Sequence, residues 1–76
     1  MSNRLTGQTL DTLARMHNVN GTYGFSIFRL QSDDTEIHII DDYTISSALH
    51  RVPSLRKCVV VRAVDDYGTI RLLVRS

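Results

Sequence analysis

Hydrophobic and polar residues alternate in four short stretches of the chain, and each pair of stretches follows a segment with helical spacing. The helical segments are residues 7–17 and 43–51, and the alternating segments are about 22–30, 35–40, 57–64 and 69–75. Alternation with a period of two is typical of strands, whereas apolar residues three or four apart share one face of a helix. The pattern therefore predicts the element order αββαββ.

Both predicted helices are short and are bounded by recognisable signals. Thr6 is the expected N-cap of the first helix, and Asn18, Asn20 and Gly21 are its expected end. Asp41 or Asp42 is the expected N-cap of the second helix. Helices of two or three turns are unstable alone, so both must be held by packing against the strands.

The two halves of the chain, about residues 5–41 and 42–76, resemble each other. Segments 22–40 and 55–74 can be superimposed with Phe28 on Val61, Arg29 on Arg62, Asp33 on Asp66, Ile37 on Ile70 and His38 on Arg71. We interpret this as a pseudo-repeat within a single domain that spans residues 1–76.

The element order predicts an α+β fold with a four-stranded, antiparallel-rich sheet and two short helices on one face. Moving the last strand to the front gives the order βαββαβ, so a permuted ferredoxin-like arrangement is compatible with the pattern. The apolar run at residues 58–61 predicts that the third strand is buried on both faces and lies inside the sheet. A four-residue turn at residues 65–68 is expected to link it to the last strand.

The alternation also assigns strand residues to the two faces of the sheet. The face expected to pack on the helices carries Phe28, Ile37, Ile39, Val59, Val61, Ile70 and Leu72. The face expected to be free of helices carries Phe25, Ile27, Arg29, His38, Val60, Arg62, Arg71, Leu73 and Arg75. Its mixture of apolar and cationic side chains is typical of protein interfaces.

Length and composition are those of a small globular domain. The chain has 76 residues, of which 42% are hydrophobic and 22% charged, so it can form one core of marginal stability. No apolar run is long enough to cross a membrane, and the first ten residues lack the apolar core of a signal peptide. Cys58 is the only cysteine, which fits a reducing compartment, and we expect a cytoplasmic protein.

Charge is unevenly distributed although the net charge is only +1. Residues 1–42 carry three basic and six acidic residues, whereas residues 43–76 carry six basic and two acidic residues. If the halves also separate in space, the basic region can contact an acidic partner, or two copies can associate head to tail.

No segment carries a catalytic signature, so we expect a protein without enzymatic activity that regulates or inhibits by binding a protein partner. A small core benefits from further burial, and a homodimer is therefore expected. The predicted partner-binding residues are Phe25, Ile27, Arg29, His38, Arg62, Arg71, Leu73 and Arg75.

Nucleic acid is the alternative partner. In that interpretation Phe25 stacks on a base, and phosphates are contacted by Arg29, Arg62, Arg71 and Arg75. The chain has no Trp, its pI is about 8.0 and it lacks the aromatic strand motif of an RNA-recognition domain, so a protein partner is favoured.

Other residues that bear reactive groups have structural explanations. His38, Asp41 and Asp42 lack the spacing of a known metal site, and helix capping accounts for both aspartates. Cys58 lies in an apolar run, which is typical of a buried thiol rather than of a nucleophile. We therefore expect neither a metal site nor a cofactor.

Overall fold

The computed structural model describes residues 5–16, 19 and 23–76 of the chain. It shows an α+β fold with the predicted element order, which confirms the predicted fold class. The helices are α1 (Leu10–Ala14), α2 (Ile45–Arg51) and a 3-10 helix (Pro53–Lys57), and the strands are β1 (Gly24–Leu30), β2 (Glu36–Asp42), β3 (Val59–Asp66) and β4 (Thr69–Arg75).

Threonines cap both α-helices. The hydroxyl oxygens of Thr9 and Thr44 each accept a hydrogen bond from the backbone N–H three residues further along the chain. The predicted caps were Thr6 for α1 and Asp41 or Asp42 for α2, and these predictions are wrong. Thr6 lies in a turn before α1, and the two aspartates belong to the end of β2.

Helix α1 begins later than the predicted helix over residues 7–17, because residues 7–10 pair with the beginning of β3. The hydrogen bonds run from Gly7 N–H to the Val60 carbonyl (2.8 Å), from Val60 N–H to the Gln8 carbonyl (2.9 Å) and from Leu10 N–H to the Cys58 carbonyl (2.9 Å). The predicted helix end, Asn18, Asn20 and Gly21, lies outside the described residues, as does His17. The pairing of residues 7–10 with β3 covers part of an otherwise exposed strand edge.

The strand order is β2-β1-β4-β3, in which two antiparallel hairpins are joined through a parallel pair of β1 and β4. Strand β3 is therefore an edge strand, and the prediction that the third strand lies inside the sheet is wrong. The order also differs from a permuted ferredoxin-like sheet. In the split βαβ unit of a ferredoxin-like fold, a third strand separates the two strands that the helix joins. After the permutation, β4 and β1 would be such a pair, but they are direct neighbours here.

The two hairpins occupy non-equivalent places, and the pseudo-repeat is not confirmed. The central strand of the first hairpin is its first strand, β1, but the central strand of the second hairpin is its second strand, β4. Positions that the sequence superposition matched consequently differ in burial. Ile37 has 47% of its surface exposed, whereas Ile70 has only 7% exposed.

A β-bulge shifts the alternation of side chains in β2. The register passes from Ile40 opposite Ile27 to His38 opposite Phe28, which leaves Ile39 as the extra residue. Because of this extra residue, Ile40 reaches the core while His38 points to the opposite face of the sheet.

A second bulge has the same effect in β3. The register passes from Val60 opposite Val74 to Arg62 opposite Leu73, which leaves Val61 as the extra residue. Val60 is buried and Arg62 is exposed, although strict alternation would assign both side chains to one face. Both bulges lie in edge strands, where they bend the strand and oppose pairing with another chain.

The core lies between the helices and one face of the sheet. Its strand residues are Phe25, Ile27, Ile40, Val60, Ala63, Ile70, Leu72 and Val74, and its helix residues include Leu10, Leu13, Ile45, Ala48, Leu49 and Leu55. The predicted placement of Phe25, Ile27 and Val60 on the helix-free face is therefore wrong. The register with β4 explains the difference, because Phe25 and Ile27 lie opposite Ile70 and Leu72.

The connection between β3 and β4 is a two-residue turn, Tyr67-Gly68, rather than the predicted turn over residues 65–68. Both residues have positive φ, +51° and +87°, as in a type I′ turn. The Tyr67 side chain is fully exposed. A bulky residue with positive φ is unusual, since this position favours Asn, Asp or Gly.

Replacing Tyr67 with Asn should stabilise the domain, because Asn adopts positive φ at lower cost. We expect a gain on the order of 0.5–1 kcal/mol in the free energy of unfolding, measured by urea denaturation. Tyr43→Asn is the matched control, since Tyr43 is also exposed but has no positive φ. A loss of stability in Tyr67→Asn would contradict the strain argument.

Val60→Ala and Val61→Ala should differ in their cost, because Val60 is buried in the core and Val61 is the half-buried bulge residue. We expect Val60→Ala to lower the free energy of unfolding by about 1–3 kcal/mol. Val61→Ala should cost less than about 1 kcal/mol, and thermal denaturation can compare both variants. Equal losses would indicate that the bulge does not shift the alternation.

Candidate protein-binding surface

The sheet face opposite the core carries no described helix, and side chains from all four strands form rows across it. One row consists of His38, Phe28, Leu73 and Arg62, taken from β2 to β3. The adjacent row consists of Asp41, Ser26, Arg71 and Val64 in the same strand order. We call this surface the open face. It also includes Glu36 at the beginning of β2 and Arg75 at the end of β4.

Phe28 and Leu73 form the apolar centre of the open face. The Arg71 guanidinium carbon lies 4.2 Å from the centre of the Phe28 ring, a cation–π distance. The His38 ring also lies against Phe28, with ring centres 5.0 Å apart and planes inclined by 54°. Leu73 has only 8% of its surface exposed, although no described helix covers this face.

Two arginines of the second hairpin reach one carboxylate of the first. Arg62 Nη2 lies 3.5 Å from Glu36 Oε2, and Arg71 Nη2 lies 3.9 Å from Glu36 Oε1. The three side chains are 64%, 49% and 37% exposed in the order Arg62, Arg71 and Glu36, so water screens both pairs. Their separations exceed the roughly 2.7–2.9 Å of a strong charge-assisted hydrogen bond. Both guanidinium groups therefore retain donors for another ligand.

The bulge at Ile39 brings His38 and Asp41 to the same face of β2. His38 Nε2 lies 2.8 Å from Asp41 Oδ1. The hydrogen bond with His38, followed by a second one with Ser26, lowers the pKa of the Asp41 carboxyl below its ordinary value. Asp41 is therefore ionised at neutral pH and places a stable negative charge on the open face.

Opposite charges lie on the two sides of the open face. Strand β2 contributes Glu36 and Asp41, whereas β4 and β3 contribute Arg71, Arg75 and Arg62. Asp66 at the end of β3 is the one described acidic residue on the basic side of this face. The uneven charge of the sequence halves thus reappears as a separation of charge across the strands.

The structure brings together four of the predicted partner-binding residues, His38, Arg62, Arg71 and Leu73. Arg75 lies on the same face at the end of β4, opposite Val59. That these five residues bind a partner stays a prediction.

Three predicted partner-binding residues lie elsewhere. Phe25 and Ile27 are in the core, with 1% and 0% of their surfaces exposed. Arg29 follows them on the same side of β1, opposite Val74, where its Nε is buried without a hydrogen-bond partner among the described residues. Consequently the predicted row of four arginines does not form, and Phe25 is not available to stack on a base.

Sequence reasoning missed Phe28, Glu36 and Asp41 as members of this surface. Phe28 was expected to pack on the helices, because both faces of β1 are apolar and alternation does not distinguish them. Asp41 was expected to cap a helix. Its proximity to His38 results from the bulge, for which the sequence contains no recognised signal.

The residues considered for metal binding or nucleophilic chemistry do not form a ligand cluster in the part of the chain that the structure describes. Among residues 5–16, 19 and 23–76, no group of three or more His, Cys, Asp or Glu side chains could hold a metal ion. Asp42 accepts hydrogen bonds from Arg51 Nη1 (3.1 Å) and from the backbone N–H of Tyr43 (2.7 Å). Cys58 is buried, which confirms that prediction. None of the described helices is long and apolar enough to cross a membrane.

Comparison of the chain with protein-family models, curated proteins and solved structures gave no match.

Removing the His38 imidazole should raise the pKa of Asp41 towards its ordinary value, as measured by NMR titration of the carboxyl carbon in His38→Ala. Ser26→Ala is the matched comparison and should raise the pKa less, because its hydrogen bond has the smaller effect. In the wild type, the stabilisation linked to Asp41 is fully present above about pH 4 and is lost as the pH falls through the lowered folded-state pKa. If the pKa of Asp41 rose more in Ser26→Ala than in His38→Ala, the hydrogen bond with His38 would not be the larger effect.

Proposed function

We propose that this protein is a non-enzymatic regulatory or inhibitory module that binds a protein partner through its open face. The observation that carries the proposal is the arrangement of Phe28 and Leu73 among exposed arginines and carboxylates on a sheet face without described helices. Aromatic residues and Arg are enriched at the centres of protein interfaces. We propose in addition that the same face forms a homodimer, since each copy carries it.

The weakness of the internal ion pairs favours this proposal. Glu36 shares its charge between Arg62 and Arg71 at long distances, and all three side chains are exposed to water. Exchanging these contacts for carboxylates or guanidinium groups of a partner therefore loses little internal stabilisation. Desolvation on docking would strengthen the new pairs and the contact of Arg71 with the Phe28 ring.

Nucleic acid is less well supported as a partner. Arg29 and Phe25, on which that alternative depended, face the core side of the sheet. Glu36 and Asp41 share the open face with the remaining arginines and would repel phosphate groups. The proposed compartment is the cytoplasm, and the unpaired, buried Cys58 is consistent with a reducing environment.

Affinity capture from a lysate of the native host tests the proposed function. Immobilised wild-type protein should retain a specific protein, and Arg62→Glu should reduce its recovery at least tenfold, because the charge at the edge of the Phe28-Leu73 centre is reversed. Lys57→Glu is the matched control, since it makes the same charge change at an exposed position of the 3-10 helix. Thermal melting should show that both variants remain folded.

Two outcomes would contradict the proposal. One is equal recovery of the same protein by the wild type and Arg62→Glu. The other is that no protein is retained by both the wild type and the control variant Lys57→Glu.

A further inference from the structure

We infer that the open face binds a second copy of this chain, in a face-to-face dimer whose two-fold axis runs parallel to the strands. The inference rests on the proposed function, because it uses the same face and identifies one partner for it. The observation that carries it is the separation of charge across the sheet, with Glu36 and Asp41 on one side and Arg62, Arg71 and Arg75 on the other.

The direction of the axis decides which charges meet. A two-fold rotation about an axis parallel to the strands, between β1 and β4, places β2 of one copy over β3 of the other. The acidic side then faces the basic side at both ends of the interface. A rotation about an axis perpendicular to the strands would place β2 over β2, where Glu36 and Asp41 face the same acidic residues. Electrostatic complementarity therefore selects the first arrangement.

The rows of the open face determine the contacts in this dimer. Because the rotation preserves position along the strands, equivalent rows face each other, and Asp41 of one copy lies over Val64 of the second copy, next to its Arg71. The same contact occurs twice by symmetry. Asp41 is well suited to it, because its hydrogen bond with His38 (2.8 Å) positions the carboxylate on the open face.

Apolar side chains near the two-fold axis lie against the second copy. Phe28 of one copy lies opposite Leu73 of the second copy, since β1 faces β4 in this arrangement. Val64, with 47% of its surface exposed in the single chain, is covered by β2 of the second copy. Further burial of the half-buried Phe28 and of the exposed Val64 adds a hydrophobic contribution to the charge contacts, whereas Leu73 is already buried in the single chain.

The edges of the sheet fit a second copy less well than the face does. Both edge strands contain bulges, at Ile39 in β2 and at Val61 in β3, which bend the strands away from regular pairing. The beginning of β3 is already paired with residues 7–10. Edge-to-edge association therefore lacks a long, regular strand on either side.

The area of the face predicts a weak dimer. Four strands about 4.8 Å apart and about seven residues of roughly 3.3 Å each define a surface on the order of 400–450 Å² per copy. The total of about 900 Å² lies below the roughly 1,600 Å² of a standard stable interface. We expect a dissociation constant in the high micromolar range that rises with added salt, because exposed ion pairs are screened.

A charge exchange between Asp41 and Arg71 tests this arrangement by sedimentation velocity. The wild type at millimolar concentration should sediment as a particle of twice 8.6 kDa. Asp41→Arg and Arg71→Asp should each sediment as monomers, because each places like charges at both symmetric contacts. An equimolar mixture of the two variants should form a heterodimer, since both contacts then pair opposite charges. The double variant D41R/R71D should dimerise with itself for the same reason.

Concentration-dependent amide chemical shifts of the wild type provide a second measurement that needs no variant. Shifts at Phe28, Val64 and Leu73 should change on dilution, whereas shifts at exposed helix residues such as Ser54 should not.

The inference is overturned if the wild type remains a monomer at millimolar concentration, or if the dimer persists in both single variants. It is also overturned if both variants are folded monomers but their mixture does not associate. Failure of the dimer with successful capture of another protein leaves the proposed function standing. If the protein dimerises but captures no other protein, the result supports this inference and contradicts the proposed binding of another protein.

Discussion

The parallel pairing of β1 with β4 holds the two halves of this fold together. It joins two antiparallel hairpins that would otherwise be separate, and it sets the register of Phe25 and Ile27 against Ile70 and Leu72. Because this register places Phe25 and Ile27 on the core side of β1, Phe28 lies on the opposite face. Parallel strands cannot be joined by a tight turn, so the intervening chain supplies α2 and the 3-10 helix that cover the core.

The same pairing assembles the open face from both hairpins. Glu36 belongs to the first hairpin, whereas Arg62 and Arg71 belong to the second, and they meet across β1 and β4. The aromatic ring of Phe28 lies between these charges and contacts the Arg71 guanidinium. The face thus depends on long-range strand pairing, and any change that separates the hairpins would separate its charges.

The edge strands are adapted to their position in different ways. Strand β3 is partly covered by the segment that precedes α1, through backbone hydrogen bonds of 2.8–2.9 Å. Strand β2 carries Glu36, Asp41 and Asp42, and charged residues at a sheet edge oppose pairing with other chains. Bulges in both strands strengthen this effect and leave the face, rather than the edges, as the surface for contacts.

Four features could be predicted from the sequence: the order of the elements, the approximate strand limits, the burial of Cys58 and the side of β4 that faces the helices. These features depend on local periodicity, which is readable over a few residues. The folded structure was needed to show that β4 rather than β3 is central and that Phe25 and Ile27 belong to the core. It also decided that Asp41 meets His38. Strand neighbours, register and bulges arise from contacts between residues distant in the chain, and a one-residue shift reverses which face a side chain occupies.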